Sequence, residues 1–246
     1  LIFIIYDIIF NMKIFGKYSN YTNIMFIFAL MFSLHSLAAP IPKAPNPDVK
    51  SYILIDYDSG MIIAEKNADL ILPPASITKI MTSYIIFTEL ENKLLSKNDD
   101  VLISKKAWKT GGSKMFIEVG KKVKVSDLLH GIITSSGNDA SVAMAEHISG
   151  DEETFSVYMN QLANNLGMTN TSYANSTGLP DDNLYTTARD ISILARSLIK
   201  TFPNEYKLYS QKEYVYNEIK QYSRNKLLYL DDSVDGMKTG FTKKAG

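Results

Sequence analysis

The sequence contains no cysteine and carries no net charge, and both absences narrow what the protein can be. Without cysteine there are no disulfides, no thiolate metal ligands and no cysteine nucleophile. The 26 basic and 26 acidic residues balance, so the chain has no excess of positive charge to attract phosphates. We therefore expect no nucleic-acid partner. A content of 46% hydrophobic and 21% charged residues is typical of a globular protein rather than a disordered chain.

Long hydrophobic runs are scarce as well. The apolar run from Ile24 to Phe32 spans only nine residues, too few for a helix that crosses about 30 Å of hydrocarbon. It follows two positive charges and precedes small residues, which is the pattern of a secretory signal peptide. We therefore predict upstream residues and a signal peptide over 1–38, cut after Ala38; the alternative is an uncleaved anchor. Four prolines predict an extended linker over 39–50.

The remaining pattern predicts an α+β fold. Residues 51–57 and 61–65 are rich in β-branched and aromatic residues and flank a turn, so they predict a β-hairpin. Apolar residues then recur at helical spacing, predicting helices near 77–85, 123–134, 140–148, 155–166 and 191–198. Gly167 is a natural stop for the fourth of these helices, and Thr187 with Asp190 resembles a capping box for the fifth. Residues 213–216 and 234–242 read as further strands. This order predicts an antiparallel sheet flanked by helices, with a mostly helical lobe in the middle.

Ser76 and Lys79 form the first candidate for chemistry. A spacing of three places both side chains on one helix face, just after Pro73-Pro74. A serine hydroxyl needs a base, and a lysine can serve once burial or a neighbouring cation lowers its pKa. The Ser76 N–H at the start of the helix could face a developing oxyanion. The pattern alone is weak, because Ser197–Lys200 and Ser223–Lys226 repeat it.

Two further motifs could complete a site. In Ser136-Gly137-Asn138, a polar turn between helices, Ser136 could relay a proton and Asn138 could hold an amide, or Asn138 could merely cap the next helix. In Lys238-Thr239-Gly240, Lys238 could bind a carboxylate, and Gly240 would let a ligand backbone approach. The Phe241 N–H is a second candidate oxyanion donor. Lys109-Thr110-Gly111 repeats the last motif in a predicted loop, and we reject it as a site.

Taken in order, these motifs resemble those of the penicillin-binding D-alanyl-D-alanine carboxypeptidases. These are the low-molecular-mass class of peptidase family S11, related to the serine β-lactamases and transpeptidases. The likeness extends over about 48–246, and it is carried by four stretches: Ser51–Gly60, Pro74–Ser83, Ser136–Met144 and Val234–Gly240. The resemblance implies a β-lactamase/transpeptidase-like fold and a D,D-carboxypeptidase catalytic domain over 51–246.

The resemblance also implies a reaction. Ser76 would attack the bond between the last two D-alanines of a peptidoglycan stem peptide, with Lys79 as the base. Ser136 and Asn138 would assist proton transfer and positioning. The substrate carboxylate would be bound by Lys238, Thr239 and Gly240, with Arg224 nearby. The expected partners are stem peptides and β-lactams; no cofactor or metal is expected, and an exported enzyme at the outer face of the inner membrane is implied.

Two departures from the family pattern qualify this expectation. Many relatives have a histidine where this chain has Phe241, which puts the rate and its pH dependence in doubt. The family's later strands, its C-terminal domain and its membrane-anchoring helix are missing, so we expect a fragment that folds poorly and is inactive alone. Three alternatives remain: a β-lactamase of the same fold, a D,D-endopeptidase, and a non-catalytic wall-binding module.

Overall fold

The computed structural model describes residues 43–243 and residue 245. The predicted signal peptide, residues 1–38, lies outside this range, as does the first part of the predicted linker. By contacts the chain divides into residues 1–45 and residues 46–246, and the fold below is that of the second unit. No helix in the described part of the chain is both long and apolar enough to cross a membrane.

Short antiparallel strand pairs supply most of the β-structure of the described residues. The strands are β1 (Tyr52–Ile55), β2 (Ile62–Lys66), β3 (Asp100–Leu102), β4 (Lys122–Lys124), β5 (Glu213–Tyr216) and β6 (Ile219–Tyr222). They pair as β1–β2, β3–β4 and β5–β6, in three separate two-stranded sheets. The predicted first hairpin is confirmed, with Tyr52 opposite Lys66 and Leu54 opposite Ala64. The sequence patterns did not indicate β3 and β4, which are only three residues long, or β6, whose four residues include the polar Lys220 and Gln221.

Helices make up most of the regular structure of the described residues. They are α1 (Lys79–Glu91), α2 (Lys105–Lys109), α3 (Val125–Ile133), α4 (Asn138–Ser149), α5 (Glu152–Leu166), α6 (Ala188–Thr201) and α7 (Pro203–Tyr206). Capping residues set the ends of two of these helices. The Thr187 side chain accepts a hydrogen bond from the Asp190 N–H at the start of α6, and Gly167 ends α5 in the left-handed conformation. Both ends agree with the sequence-based prediction.

The hydrophobic core is centred on α1 and α4. The first turns of α1 are buried on all sides, from Lys79 to Phe87, and α1 packs against α3, α4, α5 and α6. Helix α4 is buried from Asn138 to Ala145 and packs against α2, α3 and α5. Lys79 and Asn138, two candidate site residues, begin these two helices, so packing of the core sets the positions of both side chains. The α+β class is confirmed.

The strand predicted over residues 234–242 is wrong. The structure assigns no strand there, and no backbone hydrogen bond joins residues 235–241 to another described segment. A strand requires ladder hydrogen bonds from a neighbour, and an extended sequence without one stays irregular. Lys238, Thr239 and Gly240 therefore lie on an irregular segment, although the sequence predicted a strand for them.

Candidate active site

Ser76 lies in a 3₁₀ turn, Ala75–Thr78, that leads directly into α1 at Lys79. The Lys79 Nζ donates a hydrogen bond to the Ser76 Oγ at 3.2 Å, so the two side chains predicted to meet are in contact. Ala75, just before the serine, has a φ of 48°, a conformation that costs a non-glycine residue free energy. In the described structure the Ser76 N–H donates to no backbone carbonyl, which leaves this donor available to a ligand.

Lys79 is almost completely buried, with 1% of its surface exposed. Its Nζ also donates to the Asn138 Oδ1 at 2.6 Å and to the Thr177 backbone oxygen at 2.5 Å. None of these partners is an acid. Burial therefore holds the pKa of Lys79 well below its ordinary value; the Lys238 ammonium lowers the pKa further, and the Asp139 carboxylate raises it. An amine whose pKa is lowered in this way can accept the proton of a neighbouring hydroxyl.

Asn138, the first residue of α4, is held from two sides. Its backbone N–H donates to the Ser113 oxygen at 2.7 Å, and its Nδ2 donates to the Gly111 oxygen at 2.7 Å. A side chain at Gly112 would lie 2.6 Å from that same Nδ2, so only glycine allows the loop to pass this close. The loop from Gly111 to Ser113, which begins at the last residue of the rejected Lys109-Thr110-Gly111 motif, thus orients the Asn138 amide, a role that the sequence did not indicate.

Asp139, next to Asn138, fixes the same loop. Its buried carboxylate accepts hydrogen bonds from the Met115 N–H at 2.9 Å and the Phe116 N–H at 3.0 Å. It also accepts from the Ala140 N–H at 2.9 Å, within its own helix. A buried carboxylate satisfied by backbone donors holds its partners strongly. The sequence analysis missed Asp139, although an acid directly after the Ser136–Asn138 turn is a typical helix N-terminal residue.

A second loop, residues 175–179, supplies the Thr177 carbonyl. The Asn175 Oδ1 accepts from the Thr177 N–H, the Thr177 hydroxyl and the Gly178 N–H, at 3.1, 2.9 and 2.8 Å. A Cβ on Gly178 would lie 1.8 Å from the Ala75 oxygen, so this glycine lets the loop lie against the strained residue before Ser76. Sequence analysis missed this loop, whose one signal is the Asn-x-x-Gly turn pattern.

Ser136 lies on the turn between α3 and α4, close in sequence to Asn138. It has a φ of 62°, is 3% exposed, and its Oγ has no hydrogen-bond partner among the described residues. A buried hydroxyl without a partner costs about 1–3 kcal/mol, so this group is one that a ligand could satisfy. The structure places Ser136 beside the cluster but shows no hydrogen bond from it to Ser76 or Lys79.

The late segment, residues 234–242, lies close to the turn that carries the serine. A Cβ on Gly240 would lie 3.1 Å from the Ser76 nitrogen and 2.9 Å from the Pro74 oxygen, so the segment lies against the turn that carries the serine. The Lys238 Nζ donates to the Thr239 oxygen at 2.9 Å. Burial, and then the nearby Arg224 guanidinium, lower the pKa of Lys238 to about 8. Thr239 is exposed, and the Phe241 side chain is 77% exposed.

Comparisons with known proteins agree with this arrangement. A family model described as D-alanyl-D-alanine carboxypeptidase matches residues 38–246. The D-alanyl-D-alanine carboxypeptidase DacA of Escherichia coli (strain K12) is 45% identical over 213 residues, covering 84% of this chain and 53% of that protein. This chain therefore spans about half the length of that relative.

Solved structures give the same result. A crystal structure of the D-alanyl-D-alanine carboxypeptidase DacD from Francisella tularensis superposes with a TM-score of 0.82 at 37% identity, covering 87% of this chain and 65% of that one. An ampicillin-bound structure of penicillin-binding protein D2 from Listeria monocytogenes superposes with a TM-score of 0.73 at 28% identity, covering 82% and 84%. The fold is that of the penicillin-binding proteins, and the chain belongs to the peptidase S11 family of D-alanyl-D-alanine carboxypeptidases.

Proposed function

We propose that the protein is a serine-type D,D-carboxypeptidase that removes the terminal D-alanine from peptidoglycan stem pentapeptides through an acyl-enzyme on Ser76. The observation that carries the proposal is the buried amine of Lys79, which contacts the Ser76 Oγ and no acid. An amine in this environment stays uncharged at a pH where an exposed lysine is protonated, and so it can act as a base.

In the acylation step, Lys79 accepts the Ser76 proton as the Oγ attacks the carbonyl between the two D-alanines. The tetrahedral oxyanion is stabilised by backbone donors, for which we propose the N–H groups of Ser76 and Phe241. Asn138 holds the substrate amide, while its Oδ1 keeps the Lys79 amine in place. The C–N bond then breaks, and the hydroxyl of Ser136 relays the proton held by Lys79 to the departing D-alanine amine, which returns Lys79 to its uncharged form.

The substrate carboxylate is bound, in this proposal, by Lys238 and Arg224, with Thr239 and Gly240 shaping the pocket. Neither cation forms an ion pair with an acid in the described part of the chain, so their charges are available to a ligand. Guanidinium and ammonium groups are well suited to bind a carboxylate. Water then hydrolyses the acyl-enzyme, and no cofactor takes part.

Two related statements belong to the same proposal. β-Lactams acylate Ser76, because their amide carbonyl presents the same electrophile to the same base. The protein is exported by the signal peptide over 1–38, and it works on the cell wall, in the periplasm at the outer face of the inner membrane. There, trimming of stem peptides affects wall remodelling and cell shape. Association with the inner membrane through a C-terminal anchor is also part of the proposal.

Mass spectrometry after penicillin treatment tests the acyl-enzyme, using the protein expressed from its complete gene. The adduct is expected on Ser76 and absent in Ser76→Ala. The matched control is Ser197→Ala, which removes the serine of the similar Ser197–Lys200 pair and keeps labelling unchanged. Release of D-alanine from diacetyl-L-Lys-D-Ala-D-Ala is measured in parallel. An adduct on another residue, or labelling without D-alanine release, contradicts the proposal.

A further inference from the structure

Side chains hold the segment that carries Lys238. No backbone hydrogen bond joins residues 235–241 to another described segment, so no strand ladder fixes its position. The Asn225 Nδ2 donates a hydrogen bond to the Gly236 oxygen at 2.8 Å, and the Met237 side chain packs against the hydrophobic core. Gly236 lies two residues before Lys238. The hydrogen bond from Asn225 therefore restrains the backbone that places the Lys238 ammonium.

Tyr206 makes a second contact with the same segment. Its hydroxyl donates to the Asp235 Oδ1 at 2.7 Å, and a Cβ on Gly236 would lie 2.8 Å from the hydroxyl oxygen. This contact joins the segment to α7, which carries none of the candidate site residues. It therefore helps to hold the segment but does not connect it to another part of the site.

Asn225, by contrast, is joined to a site residue on its own side. Its Oδ1 accepts a hydrogen bond from the Leu227 N–H at 3.2 Å, which caps the 3₁₀ turn Lys226–Tyr229. Asn225 is 7% exposed, so water competes little for these hydrogen bonds. Arg224 is the residue directly before it. One buried amide thus connects the backbone beside Arg224 to the backbone beside Lys238.

The charges of Arg224 and Lys238 interact. Burial, and then the Arg224 guanidinium, lower the pKa of Lys238. Neither cation forms an ion pair with an acid in the part of the chain that the structure describes. Two unpaired cations repel each other until an anion lies between them. A tether between the two backbones keeps the pair together beforehand, so binding of a carboxylate requires less ordering of the pocket.

We propose that Asn225 is a positioning residue of the carboxylate pocket, because its side chain ties the segment of Arg224 to that of Lys238 and sets the separation of the two cations. It acts through these cations and not on the reacting atoms. This inference rests on the proposed function, in which both cations bind the substrate carboxylate. Loss of the tether therefore weakens binding of a substrate with a free carboxylate and leaves the chemistry at Ser76 in place.

The test uses Asn225→Ser and Asn225→Ala in the protein expressed from its complete gene. Serine caps a helical turn about as well as asparagine, but its shorter side chain does not reach the Gly236 oxygen. Asn225→Ser therefore removes the tether and keeps the cap, whereas Asn225→Ala removes both. The matched control is Asp56→Ala, which removes the acceptor of the Ser59 N–H hydrogen bond, 2.9 Å long, from the exposed turn after β1.

Two substrates form the same acyl-enzyme. Diacetyl-L-Lys-D-Ala-D-Ala has a carboxylate in its leaving group, and the methyl ester of diacetyl-L-Lys-D-Ala has none. The expected result is that both Asn225 variants raise KM for the tripeptide about fivefold, the equivalent of one ordinary hydrogen bond, with kcat unchanged. Neither variant changes kcat or KM for the ester. Asp56→Ala lowers Tm and changes the kinetics of neither substrate.

A double variant checks that Asn225 acts through the cations. Arg224→Gln raises KM for the tripeptide by itself, and Asn225→Ser added to it is expected to raise KM by less than fivefold, because part of what the tether positions is already gone. Independent, multiplied effects would overturn the inference.

The other outcomes separate the inference from the proposed function. Wild-type KM for the tripeptide in Asn225→Ser overturns the inference, even if Asn225→Ala raises KM, since the cap alone then matters. Equal losses with the tripeptide and the ester also overturn it, because they indicate general damage to the site. In both cases D-alanine release by the wild-type protein leaves the carboxypeptidase proposal intact. No D-alanine release from the wild type overturns that proposal, and the inference with it.

Discussion

Replacing Gly178 with alanine tests how the site is built. The Cβ of an alanine there would lie 1.8 Å from the Ala75 oxygen, and Ala75 is buried and itself has a positive φ. Neither backbone can move without displacing the turn that carries Ser76. Gly178 has a φ of +84°, and Gly167 and Gly150 share this value, but a Cβ added at either would meet nothing within 4 Å. The three glycines therefore separate backbone strain from steric overlap.

The magnitudes follow from these two contributions. Strain at positive φ costs an alanine about 1–2 kcal/mol in the left-handed region, and each of the three variants carries a contribution of this kind. Overlap at Gly178 adds about 1–3 kcal/mol, the usual cost of an extra carbon in a packed interior. We expect Gly167→Ala and Gly150→Ala to lower Tm by about 2–8 °C, and Gly178→Ala to lower it several degrees more.

The assay measures the Tm of each variant and, at a temperature below the unfolding transition, the rate at which a fluorescent penicillin acylates it. Gly178→Ala is expected to slow acylation because it shifts the turn that holds Ser76, whereas the two control variants acylate at the wild-type rate. Equal loss of stability in all three variants would refute the steric argument. A normal acylation rate in a destabilised Gly178→Ala would refute the link between this loop and the serine.

Three further predictions concern the base and the carboxylate pocket. Lys238→Met removes a charge that lowers the pKa of Lys79, so the pH at which acylation falls off on the acid side is expected to rise. Asp139→Asn removes a charge that raises the same pKa, so this pH is expected to fall. Shifts in the same direction would contradict the electrostatic argument. Because the pKa of Lys238 is about 8, it loses its charge above that pH, and KM for a substrate with a free carboxylate rises there, while a carboxylate-free ester control does not change. Asn175→Ala removes the acceptor of three hydrogen bonds in the loop that carries the Thr177 carbonyl. We expect this variant to lower the free energy of unfolding, measured with denaturant, by about 1–3 kcal/mol and to slow acylation by penicillin.

The features that depend on residues near each other in the chain could be predicted from the sequence. Helical spacing alone brings Lys79 to within 3.2 Å of Ser76. The first hairpin and the capped start of α6 followed from turn and capping residues in the same way. By contrast, the strand over 234–242 was predicted from composition and is absent, because a strand depends on a partner that composition does not reveal.

By itself, the sequence determined the family, the helical framework, and the identity of the serine, the lysine and the amide that form the cluster. The tertiary structure alone decided that the Thr177 carbonyl and the Asn138 amide meet the Lys79 amine, at separations of 98 and 59 residues. It also decided that Gly178 and Gly240 allow two segments to lie against the turn that carries Ser76, and that Gly112 allows a third segment to reach the Asn138 amide. The physical reason is that the pKa of Lys79 depends on burial and on distant charges, which exist only once the core has packed.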